Sequence, residues 1–137
     1  MLGQIAQILI RTGRSKKLIT YGKLSEEINF QFGRYIVHPI SVSRYIRQVC
    51  YEFYENFGVF PGSVVVSKST GMPSEGYFSF IENFGFKSSD RKGLWLGLLN
   101  QFYRFCEVMD GNTSLPDTLF DSRSPRFSVD TEGKKRK

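Results

Sequence analysis

Apolar residues recur every three or four positions in several stretches of the chain, and this spacing predicts helices. Residues 2–11 place their apolar side chains on one face, and Gly13 follows as a residue type that ends helices. A second, short helix is predicted over residues 21–28, with the hydroxyl of Thr20 as its N-terminal cap. Residues 29–39 are predicted to form a loop, because a proline forces the residue before it into an extended conformation.

The most regular apolar stripe covers residues 41–57, and Gly58 follows it as a C-terminal stop. Its core-facing positions are Val42, Tyr45, Ile46, Val49, Phe53 and Phe57. A last helix is predicted over residues 89–109, with Asp90 as its cap and Asp110-Gly111 beyond its end. Its inner stripe consists of Leu94, Trp95, Leu98, Leu99, Phe102 and Cys106.

A β-branched run between the two long helices predicts a strand at residues 63–67, and its three consecutive valines predict burial on both faces. Residues 68–76 form a loop rich in turn residues, and the aromatic run 77–80 is either a second strand or the start of a helix. The pattern favours a small α+β domain. It is expected to be mostly helical, with a short β-hairpin over residues 63–80 and an added C-terminal helix.

The composition is that of a globular protein, because 40% of the 137 residues are hydrophobic and 15% are aromatic. Residues 1–121 are predicted to form one domain. Residues 122–137 lose the apolar periodicity and end in four basic residues, which predicts a disordered basic tail. No apolar run approaches the roughly 20 residues of a membrane-spanning helix. The two cysteines, Cys50 and Cys106, are far apart and are expected to be reduced, which favours a cytoplasmic location.

Charge is segregated along the chain, which has a formal net charge of +6. Residues 1–50 hold eight Lys or Arg and two acids, residues 51–121 hold five and nine, and residues 122–137 hold six and two. A basic first third suits a phosphate-rich partner, because Lys and Arg release condensed counterions when they bind nucleic acid. Duplex DNA is the partner that this pattern favours, with the polar side of the 41–57 helix as the reading element. The predicted DNA-binding residues are Tyr21, Lys23, Ser43, Arg44, Arg47, Gln48, Tyr51 and Lys68.

Candidate catalytic chemistry is sparse. His38 is the only imidazole, and no cluster with metal-ligand spacing or glycine-rich nucleotide-binding motif occurs, so neither a metal nor another cofactor is expected. One alternative function remains open from these residues: Lys68, Glu75 and Asp90 acting with a magnesium ion as a nuclease. A second is a protein-binding module, such as a phage or host-defence inhibitor. Its partner surface would be the aromatic set Phe53, Tyr54, Phe57 and Phe60.

A family resemblance is carried by Ile19-Thr20-Tyr21-Gly22, the amphipathic helix that bears Arg44, and the strand and loop that lead to Gly76-Tyr77. Over residues 18–78 the chain resembles the winged-helix DNA-binding domain of alkylguanine-DNA alkyltransferases and alkyltransferase-like proteins. The resemblance implies that Tyr21 lies against a phosphate and that Arg44 fills the base stack after a nucleotide is flipped. The family's Pro-Cys-His-Arg active site is absent, so the resemblance implies binding without alkyl transfer. Residues 65–77 also resemble a segment of small bacterial and phage proteins.

Overall fold

The computed structural model describes residues 1–34 and 37–109, and this part of the chain is mostly helical with one very small parallel sheet. The α+β class predicted from the sequence is therefore confirmed. In chain order the elements are α1 (Leu2–Arg14), β1 (Ile19–Thr20), α2 (Tyr21–Phe32), α3 (Pro39–Phe57), a 3₁₀ turn (Pro61–Val64), β2 (Val65–Val66), α4 (Glu75–Glu82) and α5 (Arg91–Val108).

The ends of α2 and α3 follow from local chemistry. The Thr20 hydroxyl accepts a hydrogen bond from the Lys23 amide at 3.1 Å, which confirms the predicted cap. The helix continues one turn beyond the prediction and ends where Gly33 adopts a left-handed conformation with φ of 71°. The Asn29 side chain then exchanges two 2.9 Å hydrogen bonds with the backbone of Val37, which closes the loop before α3. Gly58, with φ of 75°, follows α3 as predicted.

The predicted β-hairpin over residues 63–80 is wrong. β2 pairs in parallel with β1, Ile19 opposite Val65 and Thr20 opposite Val66. The aromatic run lies in α4, where Tyr77, Phe78 and Ile81 fall on one buried face at helical spacing. The valine run is buried on all sides, as its composition predicts, but only two of its residues form a ladder.

The C-terminal helix agrees closely with its prediction. The Asp90 carboxylate accepts a 3.0 Å hydrogen bond from the Gly93 amide and caps α5. The inner stripe from Trp95 to Cys106 is buried, with Leu94 partly exposed. The predicted end at Asp110-Gly111 and the predicted tail at residues 122–137 lie outside the described residues. Within the described ranges, none of the helices combines the length and apolarity needed to cross a membrane.

The aromatic residues around the end of α3 form part of the hydrophobic core. Phe53 and Phe60 are almost completely buried, and Tyr54 stacks on Phe60 with ring centroids 4.6 Å apart. Phe57 packs against Phe53 and Phe105 at 5.4 and 5.1 Å. The alternative of a protein-binding module would use these aromatics as a partner surface, whereas in the structure their rings pack on one another and on Phe105.

Candidate nucleic-acid interface

The N-terminal half of α3 presents the polar side chains that the sequence analysis assigned to DNA. Arg44 is exposed and lies over the Tyr45 ring, 5.7 Å from its centroid. Ser43, Arg47 and Gln48 are partly exposed. These positions share one side of the helix because residues three and four apart are neighbours on its surface.

Ser43 and Arg47 meet Tyr21 at a small depression of about 20 Å³. This volume accommodates a single water-sized group. Tyr21 comes from the first turn of α2, and Ser43 and Arg47 come from α3. Ser74 is the residue that precedes α4. The remaining wall and floor are formed by Ile46, Cys50, Gly62, Tyr77 and Phe80. The fold therefore brings together side chains that are widely separated in the sequence.

Ser74 is the residue of this depression that the sequence analysis missed. The Tyr21 hydroxyl donates to Ser74 Oγ at 3.0 Å and accepts a hydrogen bond from the Ser74 amide at 3.1 Å. The Arg47 guanidinium and the Ser74 hydroxyl both lie close to the backbone of Gly76. A Cβ added to Gly76 would be 3.7 Å from Arg47 Nη1 and 3.7 Å from Ser74 Oγ. The only sequence signal was a serine before a predicted aromatic element, which is too common to identify a site.

The floor of the depression carries no charge. Burial raises the pKa of the Cys50 thiol to about 12, against the opposing effect of a 3.1 Å hydrogen bond that Cys50 Sγ accepts from the Gly62 amide. Burial also raises the pKa of Tyr77, whose hydroxyl lies 2.7 Å from Ser63 Oγ. Both groups are neutral near pH 7, so the positive charge at the rim comes from Arg47.

Some cations of the described chain are paired with carboxylates, and others are not. Elsewhere, Arg11 pairs with Glu27 at 2.5 Å, Arg91 with Glu75 at 2.7 Å, and Lys16 with Glu107. Within residues 1–34 and 37–109, no carboxylate lies within ion-pair distance of three cations of the predicted interface, Arg44, Arg47 and Lys68. Their charge therefore remains available to an external anion.

Two of the predicted DNA-binding residues do not belong to this surface. Tyr51 is 1% exposed and packs near Phe84, with ring centroids 6.2 Å apart, because the segment after α4 covers the C-terminal half of α3. Its assignment as a DNA contact is wrong. Lys23 is exposed, but it lines a separate groove between α1 and α2 rather than the depression.

Lys68 lies on a turn in the loop between β2 and α4. The turn is closed by backbone hydrogen bonds of 2.8 Å from the Ser67 amide to the Met72 carbonyl and from the Gly71 amide to the Ser67 carbonyl. Lys68 is exposed there and does not line the depression.

Two of the three residues considered for nuclease chemistry, Glu75 and Asp90, have structural roles. Arg91 donates two hydrogen bonds, of 2.7 and 2.8 Å, to the Glu75 carboxylate and lowers its pKa, while Asp90 caps α5. In the described part of the chain, no group of three or more His, Cys, Asp or Glu side chains is arranged to hold a metal ion. His38 is an exposed loop residue that precedes α3.

Comparison with protein-family models, curated proteins and solved structures found no match in any of the three.

Proposed function

We propose that this protein binds duplex DNA without catalysing a reaction, and that the N-terminal half of α3 is the binding element. The observation that carries the proposal is the convergence of Tyr21, Arg47 and Ser74 on one depression, beside the exposed Arg44. Hydrogen-bond donors around a pocket that has one unpaired cation suit the phosphate oxygens of a nucleic-acid backbone.

The depression is suited to a single phosphate oxygen. Arg47 supplies a planar set of N–H donors. The Ser74 hydroxyl, whose oxygen accepts the Tyr21 proton, supplies a rotatable one. A phosphate at the mouth of the depression would place one oxygen inside and leave the rest of its group outside. Such a contact fixes the position of the protein on the duplex and carries no sequence information.

Arg44 has a different role in this proposal. It is exposed on the turn adjacent to Arg47, and its guanidinium is free of carboxylate contact within the described residues. A planar guanidinium next to a phosphate contact is placed to enter a groove or to replace a displaced base in the stack. A preference for distorted or damaged DNA follows, because displacing a base costs least where pairing is already weak.

A winged-helix arrangement is the finer part of the proposal. α2 and α3 form the packed helix pair, and the turn that carries Lys68 takes the place of the wing, although it is not a β-hairpin. The support for this role is the exposure of Lys68 and its lack of a carboxylate partner within the described residues. A lysine so placed would contribute a backbone contact.

Arg44→Ala and Arg47→Ala, compared on intact duplex and on duplex with one mismatch, test the two roles. Arg47→Ala is expected to weaken binding equally on both and to lower the salt dependence by about one unit of slope, as loss of one phosphate contact does. Arg44→Ala is expected to cost about 1–3 kcal/mol, with the larger loss on the mismatched duplex. Arg104→Ala, at an exposed position of α5, is the matched control and is expected to leave binding unchanged.

Three results would contradict the proposal. Absence of binding to any duplex at roughly 50 mM salt removes the DNA function itself. Equal losses for Arg44→Ala on both duplexes remove the base-displacement role and leave simple backbone binding. Cleavage of DNA with Mg²⁺ that is lost in Glu75→Gln would replace binding by nuclease activity.

A further inference from the structure

A second surface with binding features lies on α2, outside the depression. It is an open groove of about 660 Å³ between α1 and α2. Phe30, which is 86% exposed, lies at this groove. The other lining residues are Arg11, Lys23, Glu26, Glu27 and Gln31. A phenylalanine this exposed leaves nearly its whole ring in water, an unfavourable arrangement that a partner surface would relieve.

The charges of the groove are balanced, with two bases and two acids around the aromatic ring. Arg11 and Glu27 form an ion pair between α1 and α2 at 2.5 Å. Lys23 and Glu26, almost one turn apart on α2, have no ion-pair partner within residues 1–34 and 37–109. The groove therefore offers one unpaired base and one unpaired acid, both within two turns before the exposed Phe30 on α2.

We propose that this groove is the contact between two copies of the chain, related by a two-fold axis. In a two-fold contact the same patch faces itself, so each unlike pair of charges occurs twice. When the two α2 helices run antiparallel, Lys23 of one copy lies against Glu26 of the other near the two-fold axis. Each Phe30 ring then packs on the other copy at one end of the contact. A patch with one free charge of each sign is complementary to itself, whereas the α3 surface, whose cations are unpaired, would repel its own copy.

Self-association also bears on DNA binding, and this part of the inference rests on the proposed function. A two-fold dimer presents two α3 helices, and duplex DNA with two half-sites has the matching symmetry. The dimer contact itself does not require DNA. The two claims are therefore tested separately.

Sedimentation equilibrium of the full chain over a concentration series tests the contact. The wild-type chain is expected to show a reversible monomer–dimer equilibrium. Phe30→Lys is expected to raise the dissociation constant at least about tenfold, the effect of removing an aromatic anchor. Leu96→Lys is the matched control, because Leu96 is an apolar residue 39% exposed on α5. Its dissociation constant is expected to equal that of the wild type.

Charge reversal identifies the partner as a second copy. Lys23→Glu and Glu26→Lys are each expected to weaken the dimer, and the double variant is expected to restore it, because both unlike pairs are re-formed with opposite polarity. Circular dichroism of each variant checks that it retains the helical content of the wild type.

A wild-type chain that remains monomeric at every concentration overturns the proposal, as does a dimer that Phe30→Lys leaves intact. A double reversal that is no better than the singles overturns the Lys23–Glu26 contact. Duplex binding measured in parallel separates this failure from that of the proposed function: a monomeric wild type that still binds DNA contradicts only the dimer.

Discussion

At the scale of single residues, Ser63 connects three elements through its polar atoms. It is completely buried, its hydroxyl lies 2.7 Å from the Tyr77 hydroxyl, and its carbonyl accepts a 2.8 Å hydrogen bond from Trp95 Nε1. A buried polar group is tolerated only when it is hydrogen-bonded, so these bonds specify how α4 and α5 sit on the 3₁₀ turn. They also fix Tyr77, which lines the depression.

Tyr77→Phe is expected to lower the free energy of unfolding by about 1–3 kcal/mol, because it leaves the buried Ser63 hydroxyl without this partner. Ser63→Ala is expected to have a similar effect for the reciprocal reason, and the double variant to lose less than the sum of the two. Urea unfolding measures all three.

Tyr103→Phe is the control for this pair. Its hydroxyl donates a 3.0 Å hydrogen bond to the Lys17 carbonyl at an exposed position, so its loss is expected to cost no more than about 1 kcal/mol. Additive losses for Tyr77→Phe and Ser63→Ala would show that the two hydroxyls contribute independently.

At the scale of elements, the contact between α1 and α5 depends on the absence of a side chain. A Cβ on Gly13 would lie 2.7 Å from Cys106 Sγ and 2.8 Å from Phe102 Cε2, both closer than packed atoms allow. Cys106 and Phe102 are themselves completely buried, so they have little room to move. Gly13 therefore sets the close approach of the first and last helices. The prediction that it ends the first helix is wrong, because α1 continues to Arg14.

Gly13→Ala is expected to destabilise the protein by about 1–3 kcal/mol, the usual cost of overpacking a core, reduced by the better helix propensity of alanine. Thermal unfolding followed by circular dichroism measures the change. Gly3→Ala in the same helix is the matched control. Nothing lies within 4 Å of its added Cβ, so the substitution is expected to stabilise by up to about 1 kcal/mol. Stabilisation by both substitutions would show that the α1–α5 contact adapts without cost.

At the scale of the whole molecule, the two ends of the described fold are held together by polar contacts of long sequence separation. Arg14 donates a 3.0 Å hydrogen bond to the Met109 carbonyl, and Lys16 forms an ion pair with Glu107. The pair of Arg91 and Glu75 joins α5 to the start of α4. In both ion pairs, hydrogen bonding to the cation lowers the pKa of the carboxyl below its ordinary value of 4.5.

The lowered pKa values predict how stability depends on pH. A carboxyl with a lower pKa in the folded state stabilises the fold above its unfolded pKa, and this contribution disappears as pH falls through the folded pKa. At pH 7 the wild-type chain is therefore expected to have a higher free energy of unfolding than the double variant Glu75→Gln/Glu107→Gln. This difference is expected to disappear as pH decreases to below 4.5. Urea unfolding at a series of pH values measures the difference.

Glu82→Gln is the control for this series, since Glu82 forms no ion pair within the described residues. The difference in free energy of unfolding between Glu82→Gln and the wild type is expected to change less with pH than the difference between the double variant and the wild type. A constant difference between wild type and double variant across the pH range would show that the two ion pairs do not contribute. High salt is expected to reduce the effect, because both pairs are exposed.

The part of the candidate site that lies on α3 can be predicted from the sequence, because helix periodicity decides which side chains share a face. Ser43, Arg44 and Arg47 were placed on the polar side of α3 by their spacing alone, and the structure puts them on its accessible half. The same spacing placed Tyr51 there, and burial under the segment after α4 overturns it. Periodicity identifies which side chains share a helix face, but it does not identify what covers that face.

The sequence by itself determined the local features, because each is decided by residues within one helical turn. Thr20 and Asp90 cap the helices that follow them, and Gly58 ends α3, since side-chain acceptors and left-handed backbone act on neighbouring amides. Only the tertiary structure decided that β2 pairs in parallel with β1 and that Ser74 meets Tyr21. Those contacts join distant segments, and their energy comes from packing and shared hydrogen bonds that no single segment contains.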